Sequence, residues 1–221
     1  MQIRRTANAG ILLTLDGKTV LLDGACREEY PYPATPPQEL ALLRASWPDV
    51  IAFTHMHNDH YDPDFAADYK KQTNGVILGP VSLPGATAEP VCIGNLKIMT
   101  IPSRHIGAAG KTTDHVSFLI MGTKTVLFTG DATPLGWKNR EDLPQIDVVA
   151  APYAYAATPS ALEIVKSLGA KDLVILHLPE RGSDPYDLWS PVDATLIQAG
   201  DLPVYILEMS EMILLPDSPQ S

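Results

Sequence analysis

The chain has 221 residues, of which 45% are hydrophobic. This length predicts one domain over residues 1–221, with enough chain to bury a core unaided by disulfides or a structural metal. Any bound metal would therefore serve chemistry. With 26 Asp and Glu against 16 Lys and Arg, the net charge of −10 disfavours a nucleic-acid partner.

The beginning of the sequence shows no secretory signal, because the apolar stretch Ile11–Leu15 is short and runs into Asp16 and Lys18. No apolar run approaches the roughly 18 residues that span a bilayer. We therefore expect no membrane association and a cytoplasmic protein. Cys26 and Cys92 are expected to be buried thiols rather than a disulfide. The sequence leaves the oligomeric state open.

Short β-type runs alternate with helical stretches along the chain. The predicted strands are Ile11–Leu15, Thr19–Leu22, Val50–Phe53, Val76–Leu78, Leu96–Ile101, Val116–Ile120, Val126–Phe128, Ile146–Ala150, Leu173–Leu176, Val204–Leu207 and Met212–Leu215. The predicted helices, each with a proline in or just before its first turn, are Pro37–Ser46, Pro63–Gln72, Pro159–Leu168 and Pro191–Ala199. Hairpin turns are predicted at Asp16-Gly17 and at 122–124, and an extended loop at 30–37. The order indicates an α/β or α+β domain with mixed sheets.

The most informative segment is 54–60, which reads THMHNDH. It follows the predicted strand Val50–Phe53 and precedes the helix at Pro63, so its imidazoles and its carboxylate can converge on one point. Neutral imidazoles and carboxylates are ligands for divalent cations such as Zn²⁺. A solvated loop is the alternative, but three of the six histidines in one short window make that interpretation improbable. The segment therefore predicts a metal site.

Three further polar side chains also follow apolar runs. His105 comes after Leu96–Ile101, Asp131 after 126–128 and His177 after 173–176. In layered α/β folds, ligands converge at strand ends. We therefore predict these three residues as additional metal ligands, although His105 taken alone is equally typical of a loop.

In this order, the residues resemble the metallo-β-lactamase-fold superfamily of metal-dependent hydrolases. The segment 55–60 fits the HxHxDH motif, His105 looks like the next histidine, Gly130-Asp131 like the GD motif and His177 like the last histidine. The resemblance covers nearly the whole chain. It implies a four-layered αβ/βα sandwich with the site at the sheet edges, where the two halves meet.

The resemblance also implies a metal centre with two divalent cations. Zinc is the default metal, and Mn or Fe would also suit nitrogen and oxygen ligands. The implied ligands are His55, His57 and His105 for one cation, Asp59, His60 and His177 for the other, and Asp131 as a bridge. Two such cations lower the pKa of a shared water, so that a hydroxide would hydrolyse a small ester, lactone or phosphoester. Asp59 and Asp131 are the implied catalytic carboxylates, with Asp59 also orienting the hydroxide.

Asp23 resembles the early aspartate of the superfamily, which follows the first hairpin. In that role it would hold a ligand histidine by a hydrogen bond. The alternative is an aspartate that caps a turn.

Departures from other branches narrow the resemblance. His57 stands where the flavodiiron branch carries glutamate, and Asp131 stands where many secreted zinc β-lactamases have cysteine. The segment Ile146 to Pro179 and the opening 8–10 look most like the compact branch that includes ascorbate-6-phosphate lactonase and N-acyl phosphatidylethanolamine phospholipase D. A small-molecule substrate is therefore expected.

Five residues are candidates for the substrate pocket: Asn8, Arg104, His115, Tyr153 and Tyr155. Each also has a structural interpretation. His115 is typical of a strand-start histidine satisfied by backbone groups, Arg104 of an exposed or ion-paired arginine, and the tyrosines of packing residues. Three other functions stay open: a metal-dependent phosphodiesterase or nuclease, a one-iron thiol dioxygenase, and a non-catalytic metal-binding module of the same fold.

Overall fold

The computed structural model describes residues 1–216 and contains two mixed β-sheets with helices on their outer faces. The first sheet has the order β13-β1-β2-β3-β4-β5. Its strands are Gln2–Arg5 (β1), Ile11–Leu15 (β2), Lys18–Leu22 (β3), Val50–Ala52 (β4), Val76–Leu78 (β5) and Met212–Leu214 (β13). The chain's last described strand thus returns to the sheet in which the chain begins.

The second sheet has the order β12-β11-β10-β9-β8-β7-β6. Its strands are Val91–Ile93 (β6), Leu96–Pro102 (β7), Val116–Met121 (β8), Thr125–Phe128 (β9), Val148–Pro152 (β10), Asp172–Leu176 (β11) and Val204–Ile206 (β12). The α-helices are Pro37–Ala45 (α1), Pro63–Thr73 (α2), Pro159–Ser167 (α3) and Trp189–Leu196 (α4). Three short 3₁₀ turns lie at Ala108–Lys111, Pro134–Trp137 and Tyr153–Tyr155.

Alternating side chains along the strands produce four layers, because successive residues of a strand point to opposite faces of the sheet. In β4, Val50 and Ala52 join an apolar cluster shared by the two sheets, whereas Ile51 packs in a second cluster with Phe65 of α2. Similarly, Val149 of β10 packs in a third cluster with residues of α3 and α4. The order helix, sheet, sheet, helix confirms the four-layered sandwich.

Strand directions bring the ends of several strands to one edge. β3, β4 and β5 run parallel, as do β9, β10, β11 and β12. β7 and β9 are both antiparallel to β8, so they run in the same direction. The two sheets are joined at this edge by the backbone amide of Val116, which donates to the carbonyl of Thr54 at 2.9 Å.

Most predicted elements are present within one or two residues of their expected bounds, and both hairpins are confirmed. Two strands were not predicted. β1 contains only one aliphatic residue, Ile3, and β6 is a three-residue edge strand. Helix α4 begins at Trp189 rather than Pro191, because proline is also tolerated in a first helical turn.

The expected burial of both thiols is wrong for one of them. Cys26 is buried, but Cys92 is exposed because it lies on the edge strand β6. Both are free cysteines. Within residues 1–216, no helix has the length and apolar character needed to cross a membrane. The single-domain organisation over residues 1–221 stays a prediction, since 217–221 lie outside the described part.

Candidate metal centre

The predicted ligands and their predicted hydrogen-bond partner Asp23 lie just beyond the carboxyl ends of five strands. Asp23 follows β3, the segment 55–60 follows β4, His105 follows β7, Asp131 follows β9 and His177 follows β11. The parallel directions of these strands carry their loops to one edge of the sandwich. All of the predicted ligands are buried except the half-buried His57.

One cluster consists of His55, His57 and His105, whose candidate ligand atoms lie within 4.8 Å of one another. His55 Nε2 and His57 Nδ1 face each other at 3.0 Å. The His105 ring is held by Nδ1, which donates to the Ile106 carbonyl at 2.7 Å, and its Nε2 is buried without a hydrogen-bond partner. Three imidazole nitrogens thus converge on one point.

Hydrogen bonds fix the tautomer of His55. The Thr54 hydroxyl donates to Asp23 Oδ2 at 2.6 Å, so its proton is already used. The bond of 2.9 Å between Thr54 Oγ1 and His55 Nδ1 must therefore be donated by the histidine. His55 Nε2 then carries the lone pair that a cation requires.

A second cluster consists of Asp59, His60 and His177, again within 4.8 Å. His177 Nε2 lies 3.0 Å from Asp59 Oδ2. His60 donates from Nδ1 to Asp23 Oδ2 at 2.8 Å, and its Nε2 is buried and unpartnered. Asp23 therefore orients one histidine in each cluster. It bonds His60 directly, and it bonds Thr54, which in turn holds His55.

Asp131 lies between the clusters. Its Oδ2 is 3.5 Å from His60 Nε2 and 3.6 Å from Nε2 of both His105 and His177. Its Oδ1 is buried without a hydrogen-bond partner. A carboxylate in this position can contact a cation on either side.

Burial and neighbouring charges shift the pKa values of the centre in opposite directions. Burial alone would raise the pKa of Asp131, but His177 and His60 hold it well below its usual range. Burial lowers the pKa of His55 well below its usual range. The pKa of His60 shifts in the other direction, because the attraction of Asp131 and Asp23 outweighs the effect of burial and raises it. Despite burial, the pKa of Asp59 is lowered as well, by His177 and His60, so both carboxylates of the ligand set are ionised and suited to a cation.

Backbone conformation brings these groups together at some cost. Asp23 and His177 have φ angles of 47° and 59°, a left-handed conformation that costs a residue other than glycine about 1–3 kcal/mol. At Gly130 the φ angle is 50°, and a Cβ atom there would lie 2.5 Å from the Thr54 side chain. Glycine is therefore required immediately before Asp131.

Tyr155 does not line the site, which corrects its assignment as a pocket residue. It is fully buried, its hydroxyl accepts from Trp137 Nε1 at 2.5 Å, and it donates to the Ala132 carbonyl at 3.0 Å. Its packing interpretation is the right one. Tyr153, by contrast, is half-buried with its ring 6.4 Å from that of His177.

Replacing Tyr155 with phenylalanine tests this correction. The substitution leaves the Trp137 N–H and the Ala132 carbonyl unpaired in the core, so we expect the free energy of unfolding to fall by about 1–3 kcal/mol. Urea denaturation measures this loss. Metal content and turnover should match those of the unchanged protein, and a selective loss of turnover at full stability would contradict the correction.

His115 also differs from its expected backbone-satisfied state. Its Nδ1 bonds the Ser103 hydroxyl at 2.9 Å, and its ring centroid lies 5.0 Å from that of His55 and 5.6 Å from that of His105. Burial lowers its pKa to about 3, so the ring is neutral. Its Nε2 is buried and unpartnered, but His115 belongs to none of the ligand clusters formed by the described residues.

We therefore expect His115→Ala to retain the metal content of the unchanged protein. The ring packs against those of His55 and His105 and contributes no atom to the ligand clusters formed by the described residues. Plasma mass spectrometry on protein purified without chelator measures the stoichiometry. Loss of one equivalent would show that His115 is itself a ligand.

Tyr32 was missed by the sequence analysis. Its ring packs edge-on against His177, with centroids 4.3 Å apart, and burial raises its pKa, so the hydroxyl stays neutral. The only signal was the loop predicted at 30–37. Of the other pocket candidates, Arg104 is exposed, whereas Asn8 is buried and accepts from the His177 amide at 3.2 Å through its carbonyl.

Comparison with known proteins agrees with this geometry. The sequence profile of the beta-lactamase superfamily domain matches residues 2–177. No curated protein sequence matches the chain. The matched range includes Asp23 and every predicted ligand, from His55 through His177.

Several solved structures share the fold. A possible metal-dependent hydrolase from Veillonella parvula is 15% identical with a TM-score of 0.69, and the match covers 97% of this chain and 99% of that one. Isothiocyanate hydrolase from Delia radicum gut bacteria is 16% identical with a TM-score of 0.67, at the same coverage of 97% and 99%.

A third structure is CmlA from Streptomyces venezuelae, a diiron beta-hydroxylase that is 17% identical with a TM-score of 0.65. The match covers 97% of this chain but only 54% of CmlA. At these identities the structures show a shared fold, and they include hydrolases and a hydroxylase. Because the profile matches residues 2–177, the chain belongs to the beta-lactamase superfamily.

Proposed function

We propose that this protein is a hydrolase that holds two divalent cations, with zinc as the expected metal, and cleaves a small ester, lactone or phosphoester. The supporting observation is the arrangement of two three-residue ligand clusters on either side of Asp131. A cytoplasmic location and a small-molecule substrate are part of this proposal.

The donor atoms fit such cations. Nε2 of His60, Nε2 of His105 and Oδ1 of Asp131 are buried without hydrogen-bond partners, which is costly unless a ligand satisfies them. One cation would be held by His55, His57 and His105, the other by Asp59, His60 and His177, with Asp131 contacting both. When bound, the cations would supply Lewis-acid charge that activates water and polarises the substrate.

The chain's own residues provide orientation. Asp23 holds the His60 ring by a hydrogen bond to Nδ1, and Thr54 holds the His55 ring in the same way. Both histidine rings therefore present Nε2 toward the centre. Partners of this kind fix ring orientation and raise ligand basicity.

Two tyrosines border the substrate's side of the centre. Tyr32 packs on His177, and Tyr153 lies nearby at 6.4 Å from the same ring. Burial raises the pKa of both hydroxyls, so both are neutral donors at physiological pH. We propose that they donate hydrogen bonds to a substrate oxygen, while their rings limit access of water.

The test combines metal content with a substrate screen. Protein purified without chelator is analysed by plasma mass spectrometry and assayed with p-nitrophenyl acetate, a γ-lactone and bis(p-nitrophenyl) phosphate. Two equivalents, with turnover lost on chelation and restored by zinc, support the proposal. Turnover of the phosphodiester alone would favour a phosphodiesterase, one iron would favour a mononuclear oxygenase, and metal without turnover would favour a binding module.

A further inference from the structure

A separate cleft of about 620 Å³ is lined by residues that adjoin the metal centre in the sequence. Its wall includes Leu178, the neighbour of His177, and Pro33, the neighbour of Tyr32. None of the predicted metal ligands lines it. A cleft of this size is within the range of about 300–1,000 Å³ that small-molecule sites occupy.

Seven of the twelve residues that line this cleft are apolar, and the other five are Arg5, Asn8, Glu180, Arg181 and Glu208. The aliphatic and aromatic lining residues include Leu178, Trp189, Ile206, Leu207 and Met209. Two contacts hold the Trp189 ring in place. Its Nε1 donates to the Pro179 carbonyl at 2.8 Å, and the Arg181 guanidinium lies over the ring, 3.8 Å from the centroid. Apolar walls held in place favour an apolar ligand with little reorganisation.

One polar group in this wall is unsatisfied. Asn8 is 2% exposed, and its Nδ2 is buried without a hydrogen-bond partner. A buried amide N–H left unpaired is costly, so its presence at a ligand-sized cleft points to an acceptor oxygen on the ligand. The carbonyl of the same residue accepts from the His177 amide, which connects the cleft to the centre.

Arg5 holds the wall of the cleft in place and leaves little of its charge available to a ligand. Its guanidinium is buried and donates to the carbonyls of Ala7, Asn8, Leu178 and Leu207. Three of these four residues line the cleft. Because most of its N–H groups are used by backbone carbonyls, and because Glu180 and Glu208 also line the cleft, the ligand expected here is neutral rather than anionic.

We propose that this cleft binds the part of the substrate remote from the cleaved bond: a neutral apolar chain or ring with a carbonyl oxygen that accepts a hydrogen bond from Asn8 Nδ2. This inference rests on the proposed hydrolase function and names the substrate class for it. The substrate is then an ester or lactone with a medium-length acylated or aryl side group rather than an acetyl-sized molecule.

Octanamide is the probe, because it contains an apolar chain and an amide carbonyl but resists hydrolysis. Isothermal titration calorimetry on the metal-containing protein should show one site, with affinity about a hundredfold above that for butanamide, owing to four additional buried methylenes. Equal affinity for the two amides would overturn the proposal.

Two variants locate the site. Asn8→Leu removes the donor at similar volume and should weaken octanamide binding about tenfold. Met209→Trp narrows the cleft from a loop and should weaken binding at least about tenfold. Met212→Trp, the same change on the edge strand β13, is the matched control and should bind as the unchanged protein does. Unaltered binding by both cleft variants would show that the probe binds elsewhere.

An inhibition experiment separates this inference from the proposed function. Octanamide should inhibit hydrolysis of p-nitrophenyl octanoate competitively, because both would occupy the cleft. Non-competitive inhibition would overturn the substrate assignment and indicate a separate effector molecule. If none of the screened esters, the γ-lactone or the phosphodiester is hydrolysed, the hydrolase proposal fails, and the calorimetry alone still decides whether the cleft binds this class of ligand.

Discussion

Replacing Asp131 with alanine is expected to remove at least one cation per chain and to reduce turnover more than about 100-fold, since loss of a mere supporting partner already costs 10–100-fold. Asp131 Oδ2 lies 3.5–3.6 Å from three ligand nitrogens, one or more in each cluster. Asp59 also faces His60 and His177, but among the described residues Asp131 is the carboxylate that faces both of these and His105, so its loss removes the counter-charge that the two clusters share. Plasma mass spectrometry and the ester assay measure the two effects.

The matched control for this variant is Asp201→Ala, which removes the same side chain from an exposed position. Both variants should be soluble, with circular dichroism spectra that match the unchanged protein. A correctly folded Asp131→Ala protein that retains two equivalents and full turnover would contradict the two-cluster assignment. His57→Ala should also remove at least one cation and abolish turnover, because His57 belongs to the cluster with His55 and His105.

The grouping of the predicted ligands could be anticipated from the sequence because each of them follows an apolar strand. Val50–Ala52 is buried on both faces, so its residues form an uninterrupted apolar run that marks the strand and the loop after it. The HxHxDH segment is local and can be recognised without knowing the fold. His105, Asp131 and His177 are distant in the sequence, and parallel strand direction is what brings them together.

Residues that act through packing were predicted less well. Tyr32 gives no local signal, because its importance arises only when the proline-rich loop folds over His177. The pocket prediction for Tyr155 was wrong for the opposite reason. A tyrosine close to a site in the sequence resembles a pocket residue, but its hydroxyl bonds Trp137 and Ala132 in the core. His115 was expected to bond backbone, whereas Ser103 on the neighbouring strand segment is its partner.

The cleft could not be predicted from the sequence because its wall comes from four separate regions of the chain. Asn8, Leu178 and Leu207 are distant in the sequence and line one cleft only in the folded chain. Arg5 then joins all three through their carbonyl oxygens. An arginine in a short strand carries no pattern that would distinguish this role from an exposed charge.

Gly130→Ala is expected to lower the free energy of unfolding by about 2–5 kcal/mol, combining the left-handed backbone penalty with forced contact in a packed region. The added Cβ would lie 2.5 Å from the Thr54 side chain at a φ of 50°. Thr54 cannot move freely, because its hydroxyl joins Asp23 to His55 and its carbonyl accepts from Val116. Displacing Thr54 would therefore also disturb His55, so metal affinity should fall along with stability.

Urea denaturation and metal titration measure the two effects of Gly130→Ala separately. Gly182→Ala is the matched control: no atom lies within 4 Å of its added Cβ and its φ is outside the left-handed region, so stability should change by less than about 0.5 kcal/mol. If Gly130→Ala unfolds at the same urea concentration as Gly182→Ala, the close approach of Thr54 does not constrain this position. If stability falls but metal affinity is unchanged, Thr54 does not transmit the displacement to His55, and the hydrogen bonds through Thr54 do not orient that ligand.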